Sequence, residues 1–333
     1  MIPFDEEQFA ASEAGRLPAA TALGEGTWAL ALPLPVGPPP YTLAYVLEDA
    51  SGDLHLVDTG WDIPGSFELL VDGLRSIGLS LDRVASVTAT HLHADHLGLA
   101  ERIRAASGAR VQLHAAEQRG LDELAAHGVT VPDFAAWGVP GELHESMARI
   151  IRGTRPDALT ADALLAHEQL LDVPGREVRV LHTPGHTTGS LSLVEDSPSA
   201  GTVLYTGDLL LPTIFPGVGL GGASADPLAD YLASLGLIES LGEPLVAPGH
   251  GYLFRGLGER VAASRAHQVG RTDEVAAILA AKPDATVWEV AERVTWTGGW
   301  ENLRGFYQAS ALSQTAMRVR YIMGTDETGR RTA

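Results

Sequence analysis

The stretch Thr90-His91-Leu92-His93-Ala94-Asp95-His96-Leu97-Gly98 limits what this chain can become more than any other part of it. Three histidines and an aspartate fall between His91 and His96. Imidazole nitrogens and carboxylate oxygens suit zinc and other borderline or harder divalent metals. Four donors this close can act together only if the backbone turns sharply and aims them at one or two ions. The stretch follows the apolar run Val84 to Ala89, which reads as a strand. It precedes Leu97, Ala100, Ile103 and Ala106, whose spacing predicts a helix ending at Gly108.

Four more positions share this design. His186 sits in Thr183-Pro184-Gly185-His186-Thr187-Thr188-Gly189-Ser190, just after the apolar run Val178 to Leu181. Asp208 ends Leu204-Tyr205-Thr206-Gly207-Asp208, and His250 ends Ala247-Pro248-Gly249-His250. Asp58 stands in Leu56-Val57-Asp58-Thr59-Gly60. Each is a donor residue at the C-terminal end of an apolar strand, beside a glycine that permits a tight turn. A histidine after Pro-Gly means little alone. Five strand ends, each tipped by His or Asp, argue for one sheet edge that gathers them.

The remaining pattern is mixed α/β up to about residue 255 and helical beyond it. Thr27 to Pro35, Tyr41 to Leu47, Leu54 to Val57, Arg110 to Leu113, Leu191 to Val194, Val203 to Tyr205 and Leu245 to Ala247 read as strands. Pro64 to Ile77 and Asp226 to Leu241 read as helices. Residues 1–26 read as an arm or irregular strand, and 115–170 as a mostly helical insert over the pocket. Helices are expected at 257–281, 286–294 and 308–323, before a polar tail at 324–333. The predicted division is therefore a catalytic domain over 1–255 and a helical module over 256–333.

Composition excludes several classes. With no cysteine, disulfides, thiolate metal sites and a cysteine nucleophile are ruled out. The net charge of −19 disfavours nucleic acid and anionic lipid as partners, and Lys282 is the only lysine. Met1 to Glu7 is acidic and unlike a secretory signal, and no apolar run approaches a membrane span, so the cytoplasm is the expected compartment. The partner implied is a small-molecule substrate. The helical tail reads as packing or homodimerisation surface.

This set of motifs resembles the metallo-β-lactamase superfamily of metallohydrolases over roughly residues 25 to 255. The resemblance implies an αββα sandwich with a metal site along one edge. It implies His91, His93 and His186 as ligands of a first metal, and Asp95, His96 and His250 as ligands of a second. It implies Asp208 as the bridging carboxylate, and Asp58 as the aspartate that orients a ligand ring. Two divalent ions, zinc first and iron or manganese as alternatives, would sit about 3.5 Å apart and hold a shared hydroxide for attack on a carbonyl or phosphoryl centre. Asp95 and Asp208 are then the catalytic carboxylates, with Asp95 passing the proton to the leaving group.

Within the family, the commonest true β-lactamases carry Cys at the position of Asp208 and no histidine at that of His96. The flavodiiron branch carries Glu at that of His93, and quorum-quenching lactonases carry Tyr where Leu211 stands. The pattern that remains is similar to the glyoxalase II-like thioesterase group. The tail is similar to helical or winged-helix-like modules, some of whose bearers cleave RNA. The expectation is a hydrolase of a thioester, ester or lactone; the alternatives are a nuclease or phosphodiesterase, and a non-enzymatic metal-loaded binding protein.

Several other residues have plain readings. His55 alternates with Leu54 and Leu56 and is expected to face solvent. His114, His127, His144 and His167 read as surface residues, and His182 as a neighbour of the site. Trp61, Trp137 and Phe215 read as core, with Trp61 and Phe215 able to wall a pocket. The glycine-rich run Pro212 to Gly222 reads as an active-site loop, because it lacks the spacing of a phosphate loop.

Overall fold

Tyr41–Glu48 is buried along nearly its whole length, and both layers of core grow from that strand. Its alternate residues serve two different faces, as a pleated strand dictates. Leu43, Tyr45 and Leu47 point into the space between two sheets, while Ala44 and Val46 point towards helices. A computed structural model describes the chain except residues 25, 36, 38, 154–157, 198–200 and 325–333. Parts of the proline-rich loop, and the polar tail beyond Gly324, thus lie outside the described residues.

Along the chain the strands are β1 (Ile2–Pro3), β2 (Thr21–Gly24), β3 (Thr27–Pro33), β4 (Tyr41–Glu48), β5 (Leu54–Val57), β6 (Val84–Thr88), β7 (Arg110–His114), β8 (Ala163–Leu165), β9 (Val178–His182), β10 (Leu191–Ser197), β11 (Gly201–Gly207), β12 (Leu245–Pro248) and β13 (Phe254–Arg255). The helices are α1 (Glu6–Glu13), α2 (Ser66–Ser76), α3 (Ala94–Leu97), α4 (Ala100–Ser107), α5 (Ala115–His127), α6 (His144–Gly153), α7 (Pro227–Glu239), α8 (Leu257–Ala281), α9 (Val287–Ala291) and α10 (Gly305–Met323).

The strands form a seven-stranded sheet, β2-β3-β4-β5-β6-β7-β8, and a six-stranded sheet, β1-β13-β12-β11-β10-β9. Between them lies a core of Leu43, Tyr45, Val180, Leu193, Tyr205 and Leu245, among others. The outer face of the first sheet packs α2 and α4 through Leu30, Val46, Leu70, Leu74 and Ile103. That of the second packs α7 and α8 through Leu204, Val246, Leu235, Ile238 and Val261. The layers run helix, sheet, sheet, helix: an αββα sandwich.

Where strands run parallel their C-terminal ends meet at one edge. Val57 pairs with Thr88 across β5 and β6, and Tyr205 with Ala247 across β11 and β12. Those registers set Asp58 beside the turn into His91, and Asp208 beside His250.

Three expectations change. Residues 1–26 contain α1, whose N-terminus Asp5 caps by accepting from Gln8 N at 2.7 Å. Its Gln8 is buried and accepts from Leu253 N at 2.8 Å, so a polar-looking segment is tied to the second sheet. Residues 115–170 are helical only as far as Gly153 and then supply β8, the edge strand of the larger sheet. His55 is buried, because both faces of the first sheet are covered. Its Nδ1 meets Ser86 Oγ at 2.7 Å, and its Nε2 meets Asp49 Oδ2 at 3.3 Å.

Beyond Arg255 the described residues are helical, without a strand. The α9 helix opens on a capping box of Thr286 and Glu289. Leu312 of α10 packs with Met147 and Ala148 of α6 and with Ala291 of α9. No helix among the described residues is long and apolar enough to cross a membrane.

Candidate metal centre

All seven candidate ligands converge at the sandwich edge. His91, His93 and His186 form one group whose donor atoms lie within 4.8 Å of one another. Asp95, His96 and His250 form a second, and His91, His96 and Asp208 a third that joins them. One oxygen of Asp208 faces each side: Oδ1 lies 3.4 Å from His96 Nε2 and 3.3 Å from His250 Nε2, and Oδ2 lies 3.6 Å from His186 Nε2. Asp95 Oδ2 lies 3.3 Å from His250 Nε2 and 3.5 Å from His96 Nε2. Glycine makes this closeness feasible. A Cβ on Gly249 would stand 2.6 Å from Asp208 Oδ1 and 2.8 Å from His96 Cε1. At Gly207, φ of +47° and a would-be Cβ 2.6 Å from Thr90 Oγ1 exclude a side chain as well.

Every histidine has its outer nitrogen engaged by the protein. His96 Nδ1 donates to Asp58 Oδ2 at 2.7 Å, and His250 Nδ1 to the Tyr41 carbonyl at 2.8 Å. His186 Nδ1 donates to the Gly217 carbonyl at 2.7 Å, and His93 Nε2 to that of Leu220 at 3.1 Å. His91 Nδ1 lies 3.1 Å from Thr90 Oγ1. An outer N–H fixed in this way leaves the other nitrogen as an inward lone pair. His93 thus presents Nδ1, which lies 2.9 Å from His91 Nε2 and 3.1 Å from His186 Nε2, while the other four present Nε2.

Charge divides the centre. Burial and the neighbouring imidazoles push His91 well below the ordinary histidine range, and burial brings His186 down to about 4. Burial also opposes a charge on His96, yet Asp95, Asp58 and Asp208 together raise it to about 9. Burial would raise Asp95 and Asp208, but His96 and His250 hold both well below the carboxylate range. The carboxylates demand positive charge, and a divalent cation meets that demand where imidazolium otherwise would. The buried atoms His96 Nε2 and Asp208 Oδ1 have no hydrogen-bond partner, an arrangement that costs free energy unless something binds there. The residues fit divalent metal.

Asp58 orders the second group. It is buried, has φ of +60°, and accepts from Thr90 N at 2.7 Å and Thr90 Oγ1 at 2.9 Å as well as from His96. Asp and Asn tolerate that left-handed backbone better than most residues. Asp58→Asn therefore keeps the turn but sets an amide N–H against another donor. Metal affinity is expected to fall roughly 10–100-fold in a chelator competition. An affinity equal to the wild type's would remove the orienting role.

Nothing in the sequence singles out Glu117, on α5. It is fully buried and accepts from Leu92 N at 2.6 Å, Gly189 N at 2.6 Å and Thr187 Oγ1 at 3.0 Å. One carboxylate therefore ties the loop of His91 and His93 to the loop of His186. Burial raises it to about 7, against the pull of these three donors. The backbone carbonyls of Tyr41, Gly217 and Leu220 are equally invisible in sequence, since any residue carries one. His182 stacks on His114 at 4.0 Å and bonds the Thr188 carbonyl, beside the His186 loop. Phe215, expected in the core, is exposed instead and stacks on His267 at 4.0 Å under Arg260. Trp137 packs with Phe134 and Val139.

An αββα sandwich with an edge of clustered His and Asp defines a class of metal-dependent hydrolase. The chain belongs to the metallo-beta-lactamase superfamily, whose family model matches residues 37–250. Superfamily members are metal-dependent hydrolases. A metallo-beta-lactamase family protein from Thermus thermophilus superposes with a TM-score of 0.74 at 28% identity, covering 90% of this chain and 94% of that one. The beta-lactamase-like protein 2 homolog of Drosophila melanogaster is 29% identical over 220 residues, which is 63% of this chain and 58% of the relative. The atrochrysone carboxyl ACP thioesterase of Aspergillus fumigatus is 24% identical over 224 residues, 67% of this chain and 41% of the relative. In both relatives the matched stretch spans less than two thirds of their own length.

Proposed function

We propose that the chain is a binuclear metal-dependent hydrolase acting on a thioester, ester or lactone carbonyl. The observation that carries this is Asp208, which turns one oxygen to each of two complete donor sets. His91 Nε2, His93 Nδ1 and His186 Nε2 would hold one ion. Asp95, His96 Nε2 and His250 Nε2 would hold the other, with Asp208 shared. A nitrogen- and oxygen-rich donor set without sulfur suits zinc, and iron or manganese can occupy the same donors.

Divalent metal bound there supplies Lewis acidity, polarising a carbonyl and lowering the pKa of water towards neutrality. The protein supplies the rest. Asp58, Tyr41, Gly217 and Leu220 fix the imidazole rings, so no reorganisation is needed as charge develops. Asp95, whose side chain is 19% exposed, is the carboxylate able to take a proton from attacking water and return it to the leaving group. A relative named as an acyl-carrier-protein thioesterase supports the thioester class. The charge of −19 speaks against a nucleic-acid substrate.

Metal analysis and a screen with acyl-thioesters, lactones, β-lactams and phosphodiesters test the proposal. Two metals per chain are expected, with thioester or lactone turnover that a chelator abolishes and zinc restores. Fewer than one metal per chain, with no metal-restored turnover, would overturn it; phosphodiester cleavage alone would move the chain to the nuclease reading.

A further inference from the structure

We infer that the C-terminal helices splint the first metal site, and that Gln314 is the positioning residue through which they do so. The inference rests on His93 and His186 being ligands. Both rings are held by one loop, residues 209–226, which leaves Asp208 and returns to α7. The inner side of this loop carries the Gly217 carbonyl that takes His186 Nδ1 at 2.7 Å, and the Leu220 carbonyl that takes His93 Nε2 at 3.1 Å. Its backbone is also laced to the His186 loop: Gly219 N donates to Gly185 O at 2.7 Å, and Leu220 N to His186 O at 2.8 Å.

The loop has little stiffness of its own. Gly217, Gly219, Gly221 and Gly222 are four of its six residues from 217 to 222, and glycine has the largest conformational freedom to lose. Precise placement of two ring acceptors on such a backbone requires an external brace. Gln314 of α10, itself buried, meets Val218 with both ends of its amide. Val218 N donates to Gln314 Oε1 at 2.9 Å, and Gln314 Nε2 donates to Val218 O at 2.6 Å. A primary amide can satisfy a peptide N–H and C=O at once, as a neighbouring strand would. Val218 sits directly between the acceptor Gly217 and Gly219.

Two buried arginines extend the brace. Arg318, one turn along α10, donates to the Gln314 carbonyl at 3.0 Å and bonds Gln268 of α8. Arg260 of α8 donates to Leu211 O and Ile214 O, both at 2.6 Å, and so anchors the start of the loop. Both guanidiniums donate to carbonyl and amide oxygens, although Arg318 Nε is left without a partner among the described residues. The path from α8 and α10 through Gln314 and Val218 to His186 and His93 runs through hydrogen bonds and the short backbone on either side of Val218.

Co2+ titration of the full-length metal-free protein, followed by visible absorption and chelator competition, tests this. His186→Ala and His250→Ala, which each strip one donor set, assign the two dissociation constants. Gln314→Leu, which loses both bonds to Val218, is expected to weaken the first site about tenfold and leave the second within about twofold. Gln314→Glu keeps one acceptor but sets its second oxygen against the Val218 carbonyl, so it should not restore the first site. Leu312→Ala is the control: it removes α10 packing against α6 without touching the loop, and should lower the melting temperature while leaving both constants near wild type. Wild-type constants in Gln314→Leu would overturn the inference. So would an equal loss in Leu312→Ala, which would reduce the effect to general stability. A wild-type protein that binds no Co2+ would instead remove the metal-centre reading, and this inference with it.

Discussion

Asp208→Ala is expected to lower kcat/KM by roughly a thousand-fold or more at saturating metal, the scale on which loss of a principal electrostatic group is felt. No neighbour can take over its position. Asp95 approaches His96 and His250, whereas Asp208 also reaches His186 from its second oxygen. Loss of the carboxylate also removes a donor, and its negative charge, shared by both sets, so metal stoichiometry should drop below two. Asp208→Asn keeps the volume and one acceptor oxygen but not the charge. It separates shape from electrostatics, and the electrostatic account expects it to resemble alanine. The strand that delivers Asp208 is buried through Leu204 and Tyr205, so far-UV circular dichroism should not change. An alanine variant that kept two metals and activity within tenfold of wild type would remove the bridging role.

Glu117→Ala is expected to destabilise the metal-free protein by about 2–6 kcal/mol, because two buried backbone N–H groups lose their acceptor at roughly 1–3 kcal/mol each, while the Thr187 hydroxyl keeps Ser190 Oγ at 2.6 Å. Urea unfolding reads this directly. Glutamine offers no rescue, since its amide would set an N–H against either Leu92 N or Gly189 N. The pH dependence carries a further sign. Glu117 is raised in the fold from 4.5 to about 7, so between those values the folded state holds a proton that the unfolded chain has released. Stability from this group is therefore full below pH 4.5 and falls as pH rises towards 7, by about 3 kcal/mol in all. The gap between wild type and Glu117→Gln should accordingly be wider at about pH 5 than at about pH 7.5. A gap that stays flat between those pH values would show the carboxylate to be ionised throughout.

The strand ends were legible because two local signals coincide there: an apolar run of strand length, then a glycine beside His or Asp. That pattern placed Asp58, His91, His186, Asp208 and His250 on one edge, where the structure brings them together. The same local logic failed at His55, where alternation implied a wet face. A second sheet covers that face, and covering is a property of the partner sheet, which the strand itself does not encode. It failed again at 115–170, where helical spacing hid the short edge strand Ala163–Leu165. Glu117 lies in Ala115-Ala116-Glu117-Gln118-Arg119, which reads as an ordinary helix start. Its burial comes from Leu92 and Gly189, 25 and 72 residues away.

By itself the sequence determined the donor types, their placement at strand ends and the absence of thiol chemistry, because those follow from residue identity and short-range periodicity. Only the tertiary structure decided which nitrogen each imidazole turns inward. Four of the acceptors that fix the outer nitrogens, Asp58, Tyr41, Gly217 and Leu220, lie 31 to 209 residues from the rings they hold. A hydrogen bond across that separation exists only once the two sheets and the glycine-rich loop have closed around it.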